Sequence, residues 1–455
     1  MQFVLSCDAI MNMAMKVGRQ LGRIAVAASL AAALGGCALY SDVSISPLIV
    51  HPTNVGAGLH DLQQILRKSD YLRAIELTSL VETRQRRSAA ELGALGEAEL
   101  CAGRYDDARR HLRAAIDLEP FRTTYAQIAW NLSQVEYMSN NYDIALDWAR
   151  LAQQHGLNIK QWHLDFLESM SNVRVYKFPG QTVSRIPMHV GRPDVPRIDV
   201  RVNGKRDVAG VVDSGAVLSI ISERFASTLP LHSLGNFKGT FYGLLGEPID
   251  VRFALLESVE LGDMVIENVP VAIMPDDMMS FLVNDKREFN IDFLLGANLL
   301  KEFKLDLDFK RNVITFSKLT AADRQPDFSQ NLFIENFRPV VRGAINRRGW
   351  YLFVLDTGSE VTFLNEMQMF GLPVQTFQLR KVHNATLQGL GGAKKRGDKI
   401  ENVEIGVDKW AGTFRDMPMY TSGEGERAVG ILGENYLKNF HVIIDFGKMR
   451  VDLAV

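Results

Sequence analysis

Two short tripeptides carry the acidic residues that are best placed for chemistry. The sequence Asp-Ser-Gly occupies residues 213–215, and Asp-Thr-Gly occupies residues 356–358. Each tripeptide follows an apolar run, at residues 208–212 and 351–355, which is typical of a strand buried on both faces. A carboxylate at the point where such a strand enters a Gly-containing turn is held at the surface of a rigid scaffold, where it can react.

Two carboxyls that share one site can activate a water molecule. Their mutual repulsion separates the two protonation steps, so that one carboxyl is ionised while the other is protonated. The carboxylate can take a proton from water, and the carboxylic acid can hydrogen-bond to a carbonyl oxygen and stabilise the charge that develops there. We therefore predict that Asp213 and Asp356 form a catalytic pair.

The sequence around the two tripeptides is duplicated. Asn203 and Asn346 each lie ten residues before the acidic residue, so both landmarks are offset by 143 (356 − 213 and 346 − 203). Each half later contains an apolar-apolar-Gly element, at residues 294–296 and 431–433, and the residues that follow align without a gap. A repeat of roughly 130 residues is far longer than a solenoid unit, which indicates a tandem pair of lobes.

An Asp-Ser/Thr-Gly loop, a Gly-marked hairpin and an apolar-apolar-Gly element, in this order in both halves, resemble the retropepsin-type aspartic proteases. The resemblance covers about residues 180–455. It implies two small β-rich lobes in one chain, as in the pepsin-like enzymes. It also implies that a water held between Asp213 and Asp356 hydrolyses peptide bonds of a peptide or protein substrate. No metal or cofactor is expected.

The neighbours of the two acidic residues receive roles from the same resemblance. Ser214 and Thr357 are expected to cross-link the two loops by hydrogen bonds and hold the carboxylates coplanar. Gly215 and Gly358 let the backbone pass close to the catalytic oxygens, where a Cβ atom would crowd the site.

The next position differs between the halves, with Ala216 in one and Ser359 in the other. A serine hydroxyl can donate to a carboxylate and favour its charged form, whereas an alanine side chain cannot. We therefore expect Asp356 to be the more readily ionised partner, and activity at mildly acidic to neutral pH.

Two Gly-marked turns are candidates for substrate-covering flaps. The second-half turn resembles the retropepsin flap tip, whose backbone closes over the substrate, and it lacks the Lys-Ser/Thr ending of a phosphate-binding loop. In the first half, Tyr242 resembles the flap tyrosine of pepsin-like enzymes, and an ordinary packing aromatic is an equal alternative. The flap candidates are Tyr242, Gly243, Gly389, Leu390, Gly391 and Gly392.

The N-terminus reads as a targeting segment. Basic residues precede an apolar run, residues 24–34, that is too short to span a bilayer. Residues 34–37, Leu-Gly-Gly-Cys, resemble the bacterial lipobox, which implies removal of residues 1–36 and lipidation of Cys37. Ordinary signal-peptide cleavage nearby is the alternative. No Asp follows Cys37, so the resemblance implies a periplasmic protein held at the outer membrane, with the membrane contacted through the lipid only. Residues 37–56 are expected to be a tether.

Residues 57–165 have the apolar period of helices. Three units align, each with a Tyr followed three residues later by an Ala: Tyr71 and Ala74, Tyr105 and Ala108, Tyr142 and Ala145. This spacing resembles the tetratricopeptide repeat (TPR), which implies a concave groove for a peptide or protein partner. A plain helical bundle is the alternative.

The predicted fold is therefore multidomain: an all-α, TPR-like helical region followed by an all-β, two-lobed region with lobes at residues 176–319 and 331–455. The net charge of −2 disfavours binding to nucleic acid. The nine His residues show no zinc-ligand spacing, so we expect no metal. The alternative function is a catalytically inactive scaffold that binds peptide, which the two mutually repelling carboxyls disfavour.

Overall fold

The structure is a computed structural model, and it places most of the chain from residue 43 onward. No helix in the described residues is long and apolar enough to cross a membrane. The described residues are 43–48, 62–81, 88–118, 122–189, 191, 194–204, 206–243, 248–283, 286–369, 382–388, 394–420 and 427–455.

A short strand and seven helices make up the N-terminal part of the described chain. Local sequence explains the helix boundaries: at the third helix, Ser88 and Glu91 form a reciprocal capping box that satisfies two backbone N–H groups. The elements are β1 (Ser44–Pro47), α1 (Leu62–Arg67), α2 (Tyr71–Val81), α3 (Ala89–Cys101), α4 (Tyr105–Leu118), α5 (Arg122–Met138), α6 (Tyr142–Gln154) and α7 (Gln161–Met170).

The tyrosines of the three aligned units each begin a helix, namely α2, α4 and α6. The alanine three residues later is almost completely buried in every case, which lets neighbouring helices approach closely. The predicted helical region is therefore present, and its relation to the TPR family stays a prediction. Helix α7 continues the helices to Met170, beyond the predicted boundary at residue 165.

The first lobe is a closed β-barrel. Six strands follow one another in the order β3-β4-β12-β5-β9-β8, and pairing of β3 with β8 closes the ring. The elements of this lobe are β2 (Val183–Pro187), β3 (Arg197–Val202), β4 (Arg206–Val212), β5 (Ser219–Ser222), α8 (Glu223–Ala226), β6 (His232–Ser233), β7 (Gly239–Tyr242), β8 (Pro248–Leu261), β9 (Met264–Met274), β10 (Ser280–Val283), β11 (Lys286–Asn290), β12 (Phe293–Leu295), α9 (Ala297–Leu300), β13 (Phe303–Asp308) and β14 (Val313–Lys318).

The second lobe repeats this barrel. Its ring runs β16-β17-β22-β18-β21-β20, and pairing of β20 with β16 closes it. A short 3-10 helix, Ala321–Asp323, precedes this lobe. Its elements are β15 (Leu332–Glu335), β16 (Arg338–Ile345), β17 (Arg348–Leu355), β18 (Phe363–Asn365), α10 (Glu366–Met369), β19 (Val382–Gln388), β20 (Lys394–Val407), β21 (Trp410–Tyr420), β22 (Gly430–Leu432), α11 (Glu434–Leu437), β23 (His441–Asp445) and β24 (Arg450–Ala454).

A five-stranded antiparallel sheet joins the lobes in the order β2-β14-β13-β23-β24. At its centre β13 of the first lobe pairs with β23 of the second, and Asp306 lies opposite Ile443. These two positions differ by 137, the offset of the aligned second-half residues, so the local twofold axis of the duplication passes between them. The two barrel-like lobes predicted from the duplication are thus confirmed.

Part of the predicted tether is a strand. β1 pairs antiparallel with β21 at the edge of the second lobe, and Leu48 donates its N–H to the Lys409 carbonyl at 2.8 Å. Leu48 also packs over Gly406, where a Cβ atom would lie 2.4 Å from its Cδ1 atom. Edge strands expose unpaired backbone groups, so β1 satisfies an edge that the barrel leaves open.

Candidate active site

The same three-strand arrangement positions each acidic residue. β12 lies between β4 and β5, parallel to the first and antiparallel to the second, and β22 does the same between β17 and β18. Asp213 follows β4 and donates its N–H to the Leu295 carbonyl at 3.0 Å. Asp356 follows β17 and donates its N–H to the Leu432 carbonyl at 3.1 Å. The apolar-apolar-Gly elements thus lie directly beside the acidic loops.

A second set of polar residues supports these loops, and the sequence reasoning gave them no role. Thr362 accepts from the Gly433 N–H at 3.0 Å, and its own N–H donates to Asn435 Oδ1 at 2.8 Å. Ser219 and Asn298 make the equivalent bonds in the first lobe, at 3.0 Å to the Gly296 N–H and 2.7 Å between them. The offset of 143 between Ser219 and Thr362 could have identified this pair.

Hydrogen bonds cross-link the two acidic loops. The Ser214 N–H donates to Thr357 Oγ1 at 3.1 Å, and the Thr357 N–H donates to Ser214 Oγ at 3.2 Å. Each hydroxyl then donates to the strand of the opposite lobe, Ser214 to the Leu355 carbonyl at 2.6 Å and Thr357 to the Val212 carbonyl at 2.7 Å. All four bonds are buried, so they fix the two loops relative to each other.

Glycine is required after each hydroxyl residue because the opposite carboxyl lies against it. A Cβ atom on Gly215 would lie 2.4 Å from Asp356 Cγ, and a Cβ atom on Gly358 would lie 2.3 Å from Asp213 Cγ. Real Cβ atoms do not come this close to a neighbouring atom. The two glycines therefore permit each carboxyl to cross into the other lobe's loop.

The two carboxyls form one buried, coupled pair. Asp213 is 0% and Asp356 1% exposed, and the side chains lie within hydrogen-bonding reach of each other. Asp213 Oδ1 accepts from the Ala216 N–H and Asp356 Oδ1 from the Gly358 N–H, both at 3.0 Å. Asp213 Oδ2 accepts no hydrogen bond from the described residues.

Burial and charge separate the protonation of the pair. Burial, followed by the charge of Asp356, raises the pKa of Asp213 well above its ordinary value. Burial also raises the pKa of Asp356, to about 7, but the hydrogen bonds from Asp213 and from the backbone counteract part of this effect. The charge of Asp356 thus raises the pKa of Asp213, whereas hydrogen bonds lower the pKa of Asp356, and this difference favours Asp356 as the partner that ionises first.

The hydroxyl of Ser359 does not cause this difference. We predicted that it donates to the Asp356 carboxylate, and this prediction is wrong. Ser359 Oγ donates to the Val361 carbonyl at 2.9 Å and accepts from the Val361 N–H, because the chain turns back on itself here and brings its own backbone within reach of the hydroxyl. The Ser359 contribution to Asp356 comes instead from its backbone N–H.

A third buried carboxyl lies close to the pair. Glu434 begins α11, is 1% exposed, and its Oε1 atom has no hydrogen-bond partner among the described residues. Burial, together with the charges of Asp194 and Asp356, raises its pKa well above the ordinary value, against the opposing charge of Lys438. The equivalent residue of the first lobe is Ala297, so this carboxyl makes the site asymmetric.

The flap candidates are described in the first lobe only. Tyr242 ends β7 opposite Pro248 of β8, and Gly243 follows it at the hairpin end. Tyr242 is partly buried. The candidates Gly389, Leu390, Gly391 and Gly392 lie outside the described residues, and so does Cys37. In the described residues, no three His, Cys, Asp or Glu side chains are grouped as a metal site requires.

A family comparison identifies part of the first lobe. Residues 198–299 match the family model described as aspartyl protease. The matched residues include Asp213 and the two strands, β4 and β12, that position it. No curated protein matches the chain. The part of the first lobe that contains the first acidic loop is therefore similar to the aspartyl protease family.

Three solved structures are similar to the chain, and in each case the match covers 97% of the solved chain. A retropepsin-like aspartic protease from Rickettsia conorii covers 32% of this chain at 20% identity and a TM-score of 0.22. The aspartic proteinase from Irpex lacteus covers 60% of this chain at 12% identity and a TM-score of 0.35. Basic 7S globulin from soybean covers 61% of this chain at 13% identity and a TM-score of 0.31.

Proposed function

We propose that the chain is an aspartic endopeptidase. The observation that carries this proposal is the pair of buried carboxyls at the junction of two barrels. Four hydrogen bonds through Ser214 and Thr357 hold their loops together, and each carboxyl lies against the other lobe's glycine. Nothing in barrel packing requires two buried acids to face each other, and their repulsion is costly unless they share a proton.

The geometry supports hydrolysis of an amide by activated water. Asp356, the carboxyl that ionises first, takes a proton from a water that attacks the peptide carbonyl carbon. Asp213 carries the proton that hydrogen-bonds to the carbonyl oxygen and stabilises its developing negative charge. Asp213 transfers this proton to that oxygen as the water oxygen bonds to the carbonyl carbon, which gives a tetrahedral intermediate with two hydroxyls. As the tetrahedral intermediate collapses, the C–N bond breaks and the proton on Asp356 passes to the leaving nitrogen. Asp213 recovers its proton from the intermediate's hydroxyl, so the pair returns to its starting state.

The substrate in this proposal is an extended peptide segment that lies across both lobes. Each barrel contributes one carboxyl of the catalytic dyad, Asp213 and Asp356. Each barrel also carries a hairpin, β7–β8 or β19–β20, at a matching position in its ring. An extended chain can contact both hairpins at once and place one peptide bond at the dyad.

The proposed location is the periplasmic face of the outer membrane, through lipidated Cys37. The lipobox resemblance supports the anchor. β1 then limits the distance between the lipid and the second lobe. It begins at Ser44 and pairs with this lobe, and the seven residues from Cys37 to Ser44 span at most about 25 Å when extended. The second lobe would therefore work close to the lipid surface. The TPR-like helices are proposed to bind a peptide or protein partner.

The test compares a soluble chain that begins at Ala38 with Asp213→Asn and Asp356→Asn variants on a peptide library. We expect the unsubstituted chain to cut within peptides and both variants to lose at least about a thousandfold in kcat, because each role needs its own carboxyl. Mass spectrometry of the products shows whether internal bonds or terminal bonds are cut.

Two outcomes would contradict the proposal. Equal cleavage by all three chains would show that the activity does not come from the dyad. No cleavage by any chain, combined with retention of peptides on the unsubstituted protein, would favour the scaffold that binds peptide without cutting it.

A further inference from the structure

The first-lobe hairpin extends beyond the barrel that carries it. β7 pairs with residues 248–251 of β8, and pairing of β8 with β9 begins only at Arg252. In the described residues, this end of the hairpin is therefore two strands wide. An isolated two-stranded hairpin is marginally stable at best, so the hairpin needs support from another element to hold one position.

The hairpin has one closed face and one open face. Its side chains alternate between the two faces, as in any strand. The buried face consists of Gly239, Phe241, Ile249 and Val251. The side chains of the last three are at most 2% exposed. The other face consists of Thr240, Tyr242, Pro248 and Asp250, which are partly or fully exposed.

Helix α7 of the helical region covers the closed face. The Trp162 ring stacks on Phe253 at 6.0 Å between centroids and 17° between planes, and it lies 6.1 Å from Phe241. One turn later, Phe166 lies 5.1 Å from Phe253. A Cβ atom on Gly239 would lie 3.3 Å from Trp162 Cε3 and 2.6 Å from Phe253 Cζ. The close approach of the helix thus depends on a glycine in the hairpin.

We propose that Trp162 is a positioning residue for substrate: from the helical region it holds the first-lobe hairpin so that the face with Tyr242 is presented to the bound peptide. This inference rests on the proposed function. The ring contacts of Trp162 are with His163, Phe241 and Phe253, and these three residues belong neither to the acidic loops nor to β12 and β22. Its loss therefore weakens the fixed position of the hairpin and leaves the dyad intact.

Three variants of the soluble chain from Ala38 separate positioning from general stability. Trp162→Ala removes the support, and Trp162→Phe keeps an aromatic ring in the same place. Phe337→Ala is the matched control, because Phe337 packs on Tyr137 of the helical region at 4.7 Å but belongs to the β15–β16 turn of the second lobe. Each variant is assayed with the peptide that the unsubstituted chain cuts best.

We expect Trp162→Ala to raise KM about tenfold, the size of one lost aromatic contact, with kcat changed about twofold or less. Trp162→Phe should restore most of the affinity. Phe337→Ala should lower Tm and leave KM unchanged. An equal rise in KM for Trp162→Ala and Phe337→Ala, or a loss confined to kcat, would overturn the positioning role.

Hydrogen exchange gives a readout that needs no substrate. Amides of residues 239–242 and 248–251 should exchange faster in Trp162→Ala than in the unsubstituted chain, while the inter-lobe strands β13 and β23 keep their protection. Unchanged exchange in the hairpin would refute the inference even if the enzyme is active. If no chain cleaves peptide, the proposed function fails, and the exchange result alone decides whether Trp162 holds the hairpin.

Discussion

At the residue scale, the site depends on groups that each satisfy a demand made by the opposite lobe. The hydroxyls of Ser214 and Thr357 accept from each other's loop backbone and donate across the junction. The glycines beside them leave the space that the opposite carboxyl fills. The site cannot be half formed, because either loop alone would leave buried polar groups without partners.

The raised pKa of Asp356 predicts how stability depends on pH. A carboxyl whose pKa is raised from 3.8 to about 7 on folding stabilises the fold below about pH 4, and this contribution is lost as pH rises through about 7. Asp356→Asn keeps an acceptor for the Gly358 N–H and does not ionise. We expect the variant to be more stable above pH 7, by up to about 4 kcal/mol.

Denaturant unfolding at a series of pH values tests this prediction. The gain in free energy of unfolding should shrink as pH falls and vanish near pH 4, where the unsubstituted chain is protonated too. A gain that is independent of pH would show that the carboxyl is not titrating in the buried pair.

The loop cross-link predicts a difference between two substitutions of Thr357. Thr357→Val keeps the shape but leaves the Ser214 N–H and the Val212 carbonyl without partners, which costs about 1–3 kcal/mol per group. Thr357→Ser keeps the hydroxyl. We expect the valine variant to lose both stability and kcat, and the serine variant to lose little of either. Thermal unfolding and peptide hydrolysis measure the two effects, and similar losses in both variants would count against the cross-link.

At the element scale, the duplication made the paired barrels predictable, because the fold needs the same polar residues at the same places. Asn203 and Asn346 have φ of 51° and 48°, and their side chains accept from the backbone of Ser258 and Glu404. A turn that needs both a left-handed residue and a side-chain acceptor keeps its Asn in both copies.

Other elements have no such local signal. β1 is four residues long and ends in Pro47. Its Ser44 lies opposite Thr413 of β21, which is distant in the sequence, so only tertiary contact gives β1 its strand structure. Trp162 has the spacing of an ordinary helix residue, and its partner, Phe253, lies in another domain. The Ser359 prediction was wrong for a related reason: the chemistry of a hydroxyl is readable in sequence, but the nearest acceptor is set by the turn.

The pairing of β1 with β21 predicts a consequence of truncation. A chain that begins at residue 49 lacks β1 and Leu48, so β21 exposes its backbone groups and loses the cover over Gly406. We expect this chain to be less stable and to self-associate through the open edge. A chain that begins at residue 43 keeps β1 and is the control, and we expect it to self-associate less than the shorter chain. Sedimentation and thermal unfolding of the two chains test this, and identical behaviour would mean that β1 contributes nothing to the lobe.

At the scale of the whole molecule, the helical region packs on both lobes. Helices α1–α3 share an apolar cluster with the second lobe, where Tyr71 lies 5.6 Å from Phe333 and donates its hydroxyl to the buried Glu335. Helices α5–α7 join the larger core that runs through both barrels. The helices are therefore part of the protein's core, and a groove that binds a partner would be mechanically connected to the lobes.

A buried charge cluster fixes the helices to the first lobe. Lys301, 5% exposed, donates to the Met138 carbonyl at 2.9 Å, to Asn140 Oδ1 at 2.7 Å and to Glu302 at 2.8 Å. Arg324 donates to the other oxygen of Glu302 at 2.8 Å. Burial opposes ionisation of Glu302, but the charges of Lys301 and Arg324 outweigh it and lower its pKa to about 2.

This cluster predicts a large effect for Lys301→Met and a small one for Lys438→Met, the equivalent position in the second lobe. Lys301→Met leaves a buried carboxylate with one cation and should lower the free energy of unfolding by about 3–5 kcal/mol. The Lys438 side chain is 35% exposed in its pair with Asp194, so Lys438→Met should lower it by about 1 kcal/mol or less. Because the pKa of Glu302 is lowered, its contribution is present above about pH 4.5 and is lost as pH falls toward 2. The cost of Lys301→Met should therefore shrink across this range, and adding Glu302→Gln should recover part of it. Urea unfolding of the three variants from pH 3 to pH 7 measures these differences; equal costs for the two lysines, without pH dependence, would show that the helices are held to the lobe by apolar packing alone.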